Sequence, residues 1–124
     1  MWLKGTILHG DQTGRTIGFP TINLDPTIID SNIDSLEKGV HAAWVKIHDT
    51  LYKGALYFGP RIVKNETHNV LEIHVLDFDK EVYGETVMFE IINFERPIMN
   101  FDSIEELKDQ IKKDITSVKD LLVK

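Results

Sequence analysis

Cysteine is absent from the 124 residues. Its absence excludes a disulfide framework, a thiol nucleophile, a cysteine zinc site and thiol redox chemistry, and it fits a reducing compartment. No apolar run approaches the roughly 20 residues that a membrane helix needs. The segment Met1-Trp2-Leu3-Lys4-Gly5 has neither the basic nor the apolar region of a secretory signal, so a cytoplasmic location is expected. Positive charge is also in short supply, with 14 basic against 20 acidic residues and a net charge of −6. Without a broad basic surface, neither nucleic acid nor a membrane is an expected partner. An anionic small ligand would need a local device: backbone amides, a few cations or a metal ion. No repeat, low-complexity tract or linker divides the chain, and a single domain over 1–124 is expected.

The apolar content is 42% and the charged content 27%, ordinary for a globular protein. Trp2 to His9 reads as a strand. Gly10, Gly14, Gly18 and Pro20 then punctuate a long ordered loop. Thr21 to Leu24 is short and β-prone, and residues 25–38 read as loop. Gly39 to Ile47 and Leu51 to Phe58 alternate as strands, with a hairpin at His48-Asp49-Thr50. Gly59-Pro60 is expected to break the second of these. Val70 to Phe78 and Glu85 to Phe94 are two more strands, separated by turns near Asp79-Lys80 and Tyr83-Gly84. The period then changes. Ile104, Leu107, Ile111, Ile115, Val118 and Leu122 form one helical stripe. Ser103 and Glu106 make a capping box that starts the helix at Ser103. Short strands without intervening helices argue for an antiparallel barrel or sandwich carrying one amphipathic C-terminal helix.

Three features carry candidate chemistry. The glycine-rich stretch from His9 to Asn23 matches neither a P-loop nor a dinucleotide-binding fingerprint. Its glycines serve either plain turn geometry or close approach of backbone amides to phosphate, with Arg15 as a possible clamp. Thr21 and Asn23 project to one face of an extended segment. They either satisfy local backbone groups or act as hard oxygen ligands for Mg²⁺. In Val70 to Phe78, Leu71, Ile73 and Val75 face the core, while Glu72 and His74 share the other face. That pair is either a solvated polar pair or a carboxylate and imidazole held near a substrate hydroxyl, with Glu72 as general base. His9, His41, His48 and His68 show no metal-ligand spacing and read as structural or surface residues. Arg96, ahead of Pro97, ends a strand in extended or turn backbone just before the helix cap.

In chain order these features resemble one family. Gly10-x-x-x-Gly14-Arg15-x-x-Gly18-Phe19-Pro20-Thr21-x-Asn23-Leu24 is followed by Gly39-Val40 and Glu72-Ile73-His74-Val75-Leu76-Asp77-Phe78. Tyr83-Gly84, Arg96 and Phe101-Asp102-Ser103 complete the match. The whole resembles riboflavin kinase, the C-terminal module of bacterial bifunctional riboflavin kinase/FAD synthetase. The resemblance implies a six-stranded antiparallel Greek-key β-barrel, over about residues 1–100, with a C-terminal helix over about 103–123. It implies transfer of the ATP γ-phosphate to the ribityl 5′-hydroxyl of riboflavin, giving FMN and ADP with Mg²⁺.

By motif, Gly10, Gly14, Arg15, Gly18 and Thr21 would bind the ATP phosphates. Thr21 and Asn23 would hold the metal, and Glu72 would take the hydroxyl proton. Glu72, His74, Asp77, Tyr83, Arg96 and Met99 would lie on the flavin side. Three segments depart from the family pattern: Ile22 replaces a small residue, Phe58 to Val63 permutes a Gly, Pro and Arg, and Ile98-Met99 replaces an acidic and a basic residue. An adenylyltransferase partner module would lie elsewhere, on a longer chain or a separate protein. The alternative reading is a non-catalytic barrel that binds flavin or nucleotide.

Overall fold

Alternation in the sequence becomes alternation in burial. On the strand Asn69–Val75, Leu71, Ile73 and Val75 are buried while Val70, Glu72 and His74 are half-buried on the other face. A two-residue period puts every second side chain into one core, and a chain that repeats this can close its sheet on itself. The computed structural model describes residues 2–8, 19, 21–25, 36–60, 69–78 and 80–123.

Among the described residues the strands are β1 (Leu3–Leu8), β2 (Ile22–Leu24), β3 (Gly39–Ile47), β4 (Thr50–Pro60), β5 (Asn69–Val75) and β6 (Thr86–Pro97). One helix follows, α1 (Ile104–Leu121). The strands form a closed barrel in the order β1-β2-β5-β4-β3-β6. Every neighbouring pair is antiparallel. β3, β4 and β5 are successive neighbours and β6 returns to lie beside β3, which is the Greek-key arrangement. Closure comes from β6 pairing with β1, where Leu3 stands opposite Phe89. A closed barrel leaves no unpaired strand edge, so the choice between barrel and sandwich falls to the barrel.

Phe58, Phe89, Leu56, Leu71 and Ile73 fill the interior. Burying each removes about 1.5–3 kcal/mol worth of apolar surface from water. The β3–β4 hairpin turns through His48 and Asp49, both at positive φ of 50° and 66°. Positive φ at both central residues is what a two-residue turn requires to match the twist of its strands.

Three strand boundaries differ from the sequence expectation, and the simplest is β6, which runs on past Phe94 to Pro97. Gly59-Pro60 does not break β4: Gly59 pairs with Val70 and Pro60 with Asn69. Gly59 adopts a φ of 142°, a conformation open to glycine, and proline is tolerated at a strand end. β5, in contrast, stops at Val75. Leu76-Asp77 turn away, with Asp77 at a φ of 59°. Aspartate tolerates that left-handed conformation, so the apolar alternation through Phe78 outlasts the strand.

Helix α1 begins where the capping box places it. Ser103 is extended (φ −151°, ψ 162°) and its Oγ accepts a hydrogen bond from the Glu106 backbone N–H. The helix lies on the outside of the barrel. Val118 and Leu122 pack on Ala42 and Leu76, with Trp44, Ala55 and Ile115 beside them. Alanines at 42 and 55 on the outer face of β3 and β4 let the helix approach the sheet closely. Ile104, at the start of the expected apolar stripe, is 44% exposed, so the helix anchors through its C-terminal half.

Candidate active site

The strand registers set one row of side chains around the barrel. Asn23 on β2 is directly opposite Glu72 on β5. Glu72 is opposite Tyr57 on β4, Tyr57 is opposite Val40 on β3, and Val40 is opposite Arg96 on β6. Directly opposed residues project to the same face. Core residues flank Glu72 (Leu71, Ile73) and Tyr57 (Leu56, Phe58), so this row lies on the outer face. Asn23 is only 8% exposed there, which marks a covered patch and not an open sheet surface.

Glu72 is half-buried in the middle of this row. Tyr57 beside it donates its hydroxyl to the Pro60 carbonyl. Its phenol is held above its ordinary pKa, chiefly by burial and then by the Glu72 carboxylate, while the Arg96 guanidinium pulls the other way. The Tyr57 hydroxyl therefore sits within electrostatic reach of both charges. The sequence reading passes over Tyr57, although the signal is present: a tyrosine between two inward-facing residues, Leu56 and Phe58, must face outward.

Arg96 is tightly engaged. Its Nε donates to Asp114 Oδ1 and its Nη2 to Asp114 Oδ2, both at 2.8 Å. Nη1 donates to the Pro97 carbonyl at 3.2 Å. Asp114 belongs to α1 and is the second residue that sequence reasoning missed. Its signal is a carboxylate set within the apolar stripe, four residues before Val118. The backbone of Arg96 is clasped as well. A Cβ on Gly39 would lie 2.1 Å from the Arg96 carbonyl oxygen, so the Gly39-Val40 motif admits only glycine at its first position.

Of the other expected site residues, His74, Thr21 and Tyr83 lie beside this row, and Asp77 lies away from it. Phe19 sets its ring edge-on against His74, with centroids 5.8 Å apart, which brings Phe19 onto β5. Thr21 is half-buried, one residue ahead of β2. Tyr83 is exposed in a turn stitched to β1, where Gly84 donates its N–H to the Ile7 carbonyl at 2.8 Å. Ile7 precedes Leu8, whose β2 partner is Asn23, so this turn borders the row. Asp77 lies in the turn beyond β5, off the strand that carries Glu72. Met99 is 39% exposed beyond β6, next to Ile98, whose Cδ1 is 3.0 Å from the Cβ position of Gly59. Gly10, Gly14, Arg15 and Gly18 lie outside the described residues, as do His9, His68 and the last part of Phe58 to Val63. His41 is buried, its ring tilted 57° to that of Phe94 with centroids 5.1 Å apart and its Nε2–H donated to the Glu37 carbonyl at 2.8 Å.

Among the described residues no group of three or more His, Cys, Asp or Glu side chains could cage a metal. The local donor set is a hydroxyl, an amide oxygen and a carboxylate, from Thr21, Asn23 and Glu72. These are hard oxygens, and Mg²⁺ takes few protein ligands and completes its shell with water and phosphate, so the residues fit that ion. No helix is long and apolar enough to cross a membrane among the described residues.

Comparison with known proteins bears on the family and the fold. The family model described as Flavokinase: Riboflavin kinase matches residues 1–122. The chain is 38% identical over 114 residues to the bifunctional riboflavin kinase/FMN adenylyltransferase of Listeria monocytogenes, covering 90% of this chain and 35% of that one. It is 35% identical over 117 residues to the RNA-binding riboflavin kinase RibR of Bacillus subtilis, covering 94% of this chain and 49% of that one. The chain thus spans no more than about half the length of these curated relatives. Among solved structures, a macrolide-efflux protein from Streptococcus pneumoniae superposes with a TM-score of 0.81 at 30% identity, covering 95% of this chain and 38% of that one. Riboflavin kinase from Trypanosoma brucei shares the fold, with a TM-score of 0.67 at 24% identity over 98% of this chain and 78% of that one.

Proposed function

The chain belongs to the riboflavin kinase family, and on that premise we propose that it phosphorylates the ribityl 5′-hydroxyl of riboflavin with ATP, giving FMN and ADP. The observation that carries the reading is the opposition of Asn23 and Glu72 across β2 and β5. It sets a proton acceptor beside the residues suited to a metal-bound phosphate.

Phosphoryl transfer asks for positioning and charge neutralisation more than covalent chemistry. Glu72 accepts the proton of the 5′-hydroxyl as that oxygen bonds to the γ-phosphorus. The bond from the γ-phosphorus to the β,γ-bridging oxygen breaks, and ADP leaves. Half-buried between Asn23 and Tyr57, Glu72 offers a carboxylate oxygen as the proton acceptor. Thr21 and Asn23 would hold Mg²⁺, which when bound supplies neutralising charge to the transferring phosphoryl group. The glycine-rich segment with Arg15 would hold the remaining phosphates, so the net charge of −6 is no obstacle.

The order of the row supports a division into two halves. Thr21 and Asn23 stand on one side of Glu72, and Tyr57 and Arg96 on the other. A base must lie between donor phosphate and acceptor body, so the donor belongs to the Asn23 side. Riboflavin then extends over Tyr57 toward Arg96, with His74, Tyr83 and Met99 around its rim, while Asp77 stands apart from it. Relatives carry an adenylyltransferase on the same chain, and a partner of that activity would consume the FMN made here. Incubation with riboflavin, ATP and Mg²⁺, followed by chromatography for FMN and ADP, tests the reading.

A further inference from the structure

We infer that Asp114 is a positioning residue for the acceptor half of the site: from α1 it fixes the Arg96 guanidinium at the end of the row that carries Glu72. The inference rests on the reading above for which half receives riboflavin.

The pair is built, not incidental. Asp114 grips Arg96 through two parallel bonds of 2.8 Å, with side chains only 7% and 15% exposed. Gln110, one turn earlier on the helix, donates Nε2–H to Asp114 Oδ1 at 2.9 Å. Gln110 therefore steadies the carboxylate, and the carboxylate fixes the guanidinium. The Arg96 backbone is held separately by its close approach to Gly39. Both the guanidinium and the backbone of Arg96 are thus held by named contacts.

Stability alone does not account for this arrangement. Asp114 lies in the apolar stripe of α1, four residues before fully buried Val118. A buried ion pair at such a place is often no more stabilising than apolar side chains of the same size, because both charges must leave water. What the pair supplies is position. A forked guanidinium held bidentately is directional in a way that a lysine is not. The charge so placed is felt at the Tyr57 hydroxyl, next to Glu72. The helix thus supplies, through Asp114, a contact that places a charge in the acceptor half.

Titration of riboflavin fluorescence in the presence of Mg²⁺ and ADP tests this, alongside KM for each substrate. Asp114→Asn is expected to weaken riboflavin binding and raise its KM by at least about tenfold, with the KM for ATP within about twofold of wild type. Arg96→Lys is expected to do the same, and it carries the test should Asp114→Asn fail to fold. Val118→Ala loosens the helix without touching the pair. It is expected to lower the melting temperature and leave riboflavin binding unchanged. A folded Asp114→Asn or Arg96→Lys variant with wild-type riboflavin affinity overturns the inference. So does a Val118→Ala variant that loses as much affinity as Asp114→Asn. A wild-type chain that binds riboflavin without turnover fails the kinase reading alone, while one that binds no riboflavin overturns both.

Discussion

Asn23 and Glu72 stand directly opposite each other across the β2–β5 pair, so an amide and a carboxylate share one place on the outer face of the barrel. Neither segment specifies that meeting. It is produced by the crossover that places β2 beside β5, far from it in sequence. The proposed chemistry follows from this adjacency, and each part of it can be tested.

Glu72→Gln keeps the size of the side chain and removes its basicity. The variant is expected to lose about 10²–10⁴-fold in kcat while still binding riboflavin. FMN formation followed by chromatography and riboflavin binding followed by fluorescence separate the two effects. Unchanged kcat would contradict the role of base.

Asn23→Ala removes a proposed metal ligand and leaves Glu72 in place. The expected result is a higher Mg²⁺ concentration for half-maximal rate, by about tenfold, as for loss of a group that supports a metal site. A Mg²⁺ titration at saturating riboflavin measures it. Removal of the metal with EDTA should stop turnover in the wild type, and added Mg²⁺ should restore it.

Gly39→Ala would place a Cβ 2.1 Å from the Arg96 carbonyl oxygen at a φ of 141°. Both the clash and the backbone conformation oppose it, and a loss of about 2–4 kcal/mol in unfolding free energy is expected. Urea denaturation gives the value. Because the clash falls on Arg96, riboflavin affinity should fall with stability.

His41 makes stability depend on pH. Burial lowers its pKa below the ordinary imidazole value of about 6.5, against the opposing pull of Glu37 and Glu95. Between the folded and unfolded values the unfolded chain holds more protons, so stability rises with pH. The contribution is intact above about 6.5 and is lost as pH falls from there toward the folded value. Unfolding free energies at pH 7.5 and 5.5 should differ less in His41→Gln than in the wild type. Equal differences would contradict this account.

Much of the fold is legible because its signals are local. The alternation of Gly39 to Ile47 marks β3 with the bounds observed, and the Ser103–Glu106 spacing starts the helix where it begins. Boundaries fail where a single backbone conformation decides them. Asp77 ends β5 by turning left-handed although apolar alternation continues, and Gly59 carries β4 through a segment that reads as a break. The site is less legible than the fold. Glu72, Asn23 and Arg96 are found as motif residues, but their placement in one row depends on strand register. Tyr57 and Asp114 carry no motif. One is visible only as an outward tyrosine between two core residues, the other only as an acid in an apolar stripe.

The measurement that tests the central claim most directly is product analysis with purified protein, riboflavin, ATP and Mg²⁺. The account predicts FMN and ADP in equal amounts, with Glu72→Gln slowed by orders of magnitude under the same conditions. Riboflavin recovered unchanged, with flavin or nucleotide bound but no FMN formed, would contradict it and leave a binding barrel in place of a kinase.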